Sequence, residues 1–413
     1  MRALTVGAFG IGALALATAD PVRAQVAVRG AVVHTMAPDE NGETEPLRDA
    51  VVLCEGGKVV AVGPAAETPI PEGWTVLEAA VVTPGLIDAH TVVGLAGYLN
   101  QEHDQDQLEG SAPIQPELRA IDAYNPRERL IEWLREFGVT TIHTGHGPGA
   151  VISGQTMIAK TVGDTVDEAT FVPTAMIAAT LGEGATGNGS GAPGTRSKAV
   201  ALLRAELIKA RGYLDRLEKA EEGEEPARDL RLEALGQLLT RELPLLVTAH
   251  KANDILSALR LAEEFDLRLV LDGASEAPLV VDRILEAGVP VILHPTMMRA
   301  HEETESLSME SATVLHAAGV QLALQSGYES YVPKTRVVMF EAAIAAAYGL
   351  GFQDALALIT IDAARILGVD DRVGSLEVGK DADLALYDGD PFEYASHCVG
   401  VVIEGEVVST TVR

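Results

Sequence analysis

Five of the ten histidines in this 413-residue chain stand at or just past the ends of short, valine-rich runs. His90 closes "VVTPGLIDAH", His143 and His146 fall in "VTTIHTGH", His250 closes "LPLLVTAH" and His294 closes "VPVILH". Imidazole serves both as a metal ligand and as an acid or base near neutral pH. Several imidazoles on one rim would suit a zinc ion, which lowers the pKa of its bound water to about 7 and so supplies hydroxide for attack on an amide or ester carbon. Lys160, late in "SGQTMIAKT", is a further candidate, because a carboxylated lysine binds metal as a carboxylate does. An ion-paired lysine is the plainer alternative.

Such groups need strand ends to hold them. Between residues 81 and 327, strand-like runs alternate with helical stretches, the pattern of βα units around a parallel sheet. Eight runs read as strands: 81–90, 139–145, 151–161, 170–179, 243–250, 267–273, 289–295 and 320–327. Eight parallel strands suggest a closed (β/α)8 TIM barrel, in which reactive groups sit at the C-terminal strand ends. Residues 25–82 and 372–413 instead carry short valine-rich runs broken by glycine, proline and acidic turns, so they are expected to form one composite β-sandwich beside a barrel of 83–371.

Two inserts interrupt the alternation. "LNQEHDQDQLEGSAPIQPEL" has the composition of a long loop able to close over a site, and the stretch from Ser197 to Leu243 reads as two helices around "EEGEEP". "GPGAVISGQ" (147–155) is a glycine-rich turn, and "YESYVPKTR" sets Tyr328, Tyr331, Lys334 and Arg336 beyond the last strand, where they could orient a substrate.

A formal charge of −29 argues against nucleic acid and anionic membranes as partners and leaves a small molecule as the expected ligand; a homo-oligomer is compatible with it. The N-terminus, "MRALTVGAFGIGALALATADPVRAQ", reads as a signal peptide ending at Ala24, which implies export to the periplasm or beyond. In that compartment Cys54 and Cys398, the chain's two cysteines, could be free thiols or one staple between its ends.

"VVTPGLIDAHTVVG" resembles the PGLIDxHxH signature of the amidohydrolase superfamily, and "VGSLEVGKDADLALYDGDP" resembles its C-terminal return to the β-sandwich. The similarity extends to the imidazolonepropionase-like branch, whose members cut cyclic amides and some dipeptides. It implies metal ligands at His90, at His250 and at Lys160, yet Val92 stands where the second histidine of the first pair belongs. Asp272 and Gly273 replace a histidine on strand six, and Gln325, Ser326 and Gly327 replace the usual aspartate on strand eight.

The expectation is therefore a hydrolase of carbon–nitrogen bonds with one zinc held by His90, His250, Lys160 and His294. Asp272 or Glu329 would serve as base, and His143, His146, Tyr328 and Arg336 would meet the substrate. The alternative is a catalytically silent exported protein that binds a small molecule on the same fold.

Overall fold

The structure, a computed structural model, describes residues 25–38, 44–99, 101–187, 191–296, 298–327 and 337–413. The expected leader (1–24) and the segment 328–336, which holds Tyr328, Glu329, Tyr331, Lys334 and Arg336, lie outside the described residues.

The first strands are β1 (Gln25–Val33), β2 (Leu47–Glu55), β3 (Lys58–Pro64) and β4 (Thr75–Pro84). β2 and β3 form a hairpin through Gly56 and Gly57, whose φ of 62° and 83° make the tight two-residue turn that only glycine enters without strain. β1 pairs antiparallel with β2 and parallel with β4.

Ten short strands follow. They are β5 (Leu86–Thr91), β6 (Val139–Thr144), β7 (Ile152–Gln155), β8 (Met157–Lys160), β9 (Thr170–Val172), β10 (Ile177–Thr180), β11 (Leu245–Ala249), β12 (Leu269–Gly273), β13 (Val291–Leu293) and β14 (Leu322–Leu324). Each of the eight runs read from the sequence contains one or two of them. β5, β6, β11 and β12 are buried at every position, as strands covered on both faces are, so the polar residues they carry, among them Asp88, His90, His143, Thr248 and Asp272, are buried with them.

β10 to β14 pair in order as a parallel arc, and β5 pairs parallel with β6. The third run departs from the expected pattern. β7 is antiparallel to β10 and β8 is antiparallel to β6, so residues 152–160 run against both neighbours. The two arcs meet at Thr156, between β7 and β8, and again where Gly327 N donates to His90 O at 3.0 Å.

After the arcs come β15 (Leu384–Tyr387), β16 (Cys398–Ile403) and β17 (Glu406–Ser409). β15 pairs antiparallel with β4, so both ends of the chain share one seven-stranded sheet in the order β17-β16-β15-β4-β1-β2-β3. One sheet, rather than two assigned layers, is what joins them. Cys54 on β2 and Cys398 on β16 are buried free thiols four strand spacings apart, roughly 19 Å, well beyond bridging distance.

The expected helical pair is present as Arg196–Lys219 and Leu230–Leu239, capped at Thr195 and Asp229 by side-chain bonds to the first-turn N–H groups. No helix among the described residues is long and apolar enough to cross a membrane.

Candidate functional site

The parallel register sets Thr248 on β11 beside Asp272 on β12, and Asp272 faces His90 on β5. Asp272 receives three donors. His90 Nδ1 lies 2.9 Å from Oδ1, the Gln325 amide Nε2 donates to the same oxygen at 2.8 Å, and Thr248 Oγ1 donates to Oδ2 at 2.6 Å. A carboxylate only accepts, so His90 Nδ1 carries a proton, and in the neutral ring Nε2 then carries none. That Nε2 is buried and has no hydrogen-bond partner among the described residues.

Burial alone would push the His90 imidazole down and the Asp272 carboxyl up. The opposite charges and the hydrogen bonds reverse both, leaving His90 above its ordinary value and Asp272 below it.

His90, Thr248, His250, Asp272, Gly273 and Gln325 line one cavity, closed further by Pro148, Pro295 and Met298. Its volume of 30 Å³ has room for water, which needs about 10–15 Å³ by the same measure. Gly273, at φ 75°, gives His250 its place: a Cβ there would lie 2.7 Å from His250 Cε1. His250 Nδ1 is 2.9 Å from Ser275 Oγ, and burial lowers its pKa.

His294 donates from Nδ1 to Pro295 O at 3.1 Å, and its buried Nε2 has no partner among the described residues; burial lowers its pKa to about 4. His146 is buried against Gly154 with neither ring nitrogen bonded among the described residues, and burial again lowers it to about 4.

His143 differs, because both nitrogens are taken. Nδ1 donates to Ala89 O and Nε2 accepts from Thr156 Oγ1, each at 2.7 Å. Burial, with the charge of His90 next to it, drives this ring down to about 3. It has no nitrogen left for the substrate role expected of it.

Lys160 is absent from the cavity. β8 is antiparallel to β6, with Met157 opposite Thr144 and Lys160 opposite Thr141, so the reversed strand carries the lysine toward the opposite end. There it meets Asp383 at 2.5 Å and Asp381 at 3.5 Å. Val92 is buried in a turn, its carbonyl accepting from the N–H groups of Leu95 and Ala96.

The acidic insert lies against the turn that supplies Pro148: Gly147 N donates to Gln107 O and Gln155 N to Leu118 O. Sequence reasoning overlooked Thr248 and saw Gln325 only as a lost aspartate. Thr248 stands two residues before His250, a strand period that sets both on one face, and that spacing could have found it.

Zinc is what the family resemblance implies. His90, His250 and His294 each have Nδ1 beside an oxygen, the way metal-binding imidazoles are held. Among the described residues, however, no three His, Cys, Asp or Glu side chains gather into a group able to hold an ion. Both Asp272 oxygens are already engaged, so the residues as arranged do not fit a metal centre.

Comparison with known proteins agrees with the fold. The amidohydrolase family profile matches residues 259–409. An amidohydrolase of Hapsidospora irregularis is 26% identical over 92% of this chain, which spans only 42% of that relative's length. An imidazolonepropionase of Caulobacter sp. (strain K31) is 26% identical, covering 83% of this chain and 88% of its own. The crystal structure of an amidohydrolase from Thermotoga maritima MSB8 superposes with a TM-score of 0.86 and 29% identity over 94% of this chain and all of that one. The strand-end histidines and the returning terminal sheet agree with these likenesses, and the chain is similar to amidohydrolases in sequence and in fold.

Proposed function

We propose that this chain hydrolyses carbon–nitrogen bonds in small cyclic amides or dipeptide-like molecules, with His90 as the proton-transfer group. The observation that carries the reading is the Asp272–His90 pair, in which His90 Nε2 has no partner among the described residues and the ring lines the cavity. Asp272 holds the imidazole in the tautomer a general base requires, and a pKa near the working pH is what such a base needs. His90 Nε2 takes a proton from water as its oxygen bonds to the carbonyl carbon. The same proton then passes to the departing nitrogen as the C–N bond breaks.

Neutral His250, with Ser275 donating to Nδ1, offers Nε2–H to the oxygen on which negative charge develops. The fold beneath this reading is a closed (β/α)8 barrel, supported by the joins at Thr156 and at Gly327–His90. The apolar N-terminal run supports action outside the cytoplasm after removal of residues 1–24.

No step here passes through zinc, and metal content is measured beside activity. The test is release of product from a panel of cyclic amides and dipeptides by wild type, His90→Asn and Asp272→Asn, each analysed for bound metal. Turnover by wild type that both variants lose supports the reading. Turnover that survives in both would remove His90 from the reaction. The silent-binder alternative is favoured by Val92 and by the missing aspartate at 325–327. It would be supported if cyclic amides raise the melting temperature and none is cut.

A further inference from the structure

The dyad needs its carboxylate aimed, and the surroundings of Asp272 show how. A free carboxylate beside His90 could rotate, or swing away to water, and the ring could then carry its proton on either nitrogen. Here Asp272 has no such freedom, since Thr248 grips one oxygen and Gln325 the other.

The Gln325 amide is fixed in turn. Its Nε2 lies 2.8 Å from Asp272 Oδ1 and 3.2 Å from Ile292 O, both of which only accept, so the nitrogen must face them. Thr248 is fixed by β11, whose register places it opposite Asp272. Three strand ends thus converge on one buried carboxyl group, and the fourth, β5, presents the ring.

We propose that Thr248 and Gln325 are positioning residues that act through Asp272 to hold the neutral ring of His90 as the Nδ1–H tautomer, with Nε2 as the nitrogen that accepts a proton. This rests on the hydrolase reading for its meaning in catalysis, but not for its structural content. Gln325 is then more than the trace of a lost aspartate, because an acid there would repel Asp272, whereas an amide donates to it.

The test compares Thr248→Val, Thr248→Ser and Gln325→Met with wild type, using protein labelled with 15N in histidine. The His90 ring shifts report which nitrogen carries the proton, with or without a substrate, and His90→Asn assigns the signals. At a pH where the ring is neutral, wild type and Thr248→Ser, which keeps the hydroxyl, are expected to show the Nδ1–H form alone. Thr248→Val and Gln325→Met are expected to show a mixture of tautomers, with kcat lowered about tenfold and KM unchanged for any amide that wild type turns over, as the loss of one hydrogen bond to a charged group predicts.

A single Nδ1–H tautomer in both Thr248→Val and Gln325→Met, each folded by its near-ultraviolet dichroism, would overturn the proposal. If one of the two does not fold, the other decides. A mixture in the variants with no amide cut by wild type would leave the positioning intact and dismiss the hydrolase.

Discussion

The two ends of the strands treat buried charge differently. At the end that holds the cavity, Asp272 is surrounded by donors, yet His90 Nε2 and His294 Nε2 have no partner among the described residues. At the opposite end Lys160, Asp381 and Asp383 have side chains no more than 4% exposed, and every charge has a partner. Asp381 is bound also by Lys58 at 2.6 Å and Arg372 at 2.7 Å, while Lys160 and Arg372 lie over the Phe171 ring at 4.5 and 4.2 Å.

A polar group left unpaired in a fold costs free energy that a purely structural cluster has no reason to spend. The contrast teaches which cluster is free to meet a ligand. The cluster with loose ends is the candidate site, and the saturated one ties the strand arcs to the terminal sheet.

The largest effect that would break this contrast is chemical. Asp272→Asn should lower kcat between about 10²- and 10⁴-fold while the protein stays folded, since the amide can donate to His90 and favour the wrong tautomer. Steady-state kinetics and a melting curve on one sample check it, and a loss of folding equal to the loss of rate would make Asp272 structural. Lys160→Met should do the reverse. Removing one partner from a buried ion cluster costs about 3–5 kcal/mol, so the denaturation midpoint should drop while kcat of the folded fraction holds.

pH separates the two ends further. His143, His146 and His294 are held near 3, 4 and 4, below the ordinary 6.5 that they regain on unfolding. Below pH 6.5 the unfolded chain binds protons that the fold refuses, so stability should fall toward pH 4 by up to about 1.4 kcal/mol per pH unit for each ring. Asp88, pushed up by burial to about 6 although it accepts from Ser326, takes up its proton in the fold first and offsets part of that slope between pH 6 and 3.8.

Asp381 is held below its usual value despite burial, by Lys58 and the other cations. Its contribution is complete above about 3.8 and lost only in stronger acid. Urea midpoints at pH 7.5, 6 and 4.5 should therefore decline, and a flat profile would refute the neutral histidines.

The smallest expected effect is none. Burial pushes both cysteine thiols up to about 12 and the sheet order separates them, so reductant should leave the midpoint unchanged and alkylation should wait for unfolding.

Much of this was legible in the sequence because burial leaves a direct trace there. β5, β11 and β12 begin in apolar residues because both faces are covered, and the histidine or aspartate toward the end of such a run lies near one rim. Strand direction leaves no comparable trace. "ISGQTMIAK" reads the same whichever way it runs between its neighbours, so Lys160 was expected at the rim it does not reach.

Partnership is equally silent. That His143 is saturated by Ala89 O and Thr156, whereas the ring of His90 keeps one nitrogen open, depends on residues 13 to 182 positions away. Spacing along a strand identifies neighbours on one face, as for Thr248 and His250, but not a glutamine arriving from the far side of the sheet.

The meeting of β5 with the end of β14 has a consequence for the order of folding. Asp88 and Ser326, whose bond closes that seam, are 238 residues apart, and the His90–Asp272 pair spans 182. Contacts of such separation carry the largest loop-closure cost and form slowly. Until they do, the chain can be compact, strand-rich and inert. Recovered activity after dilution from denaturant would thus lag behind recovered secondary structure, making the site itself a clock for the last step of assembly.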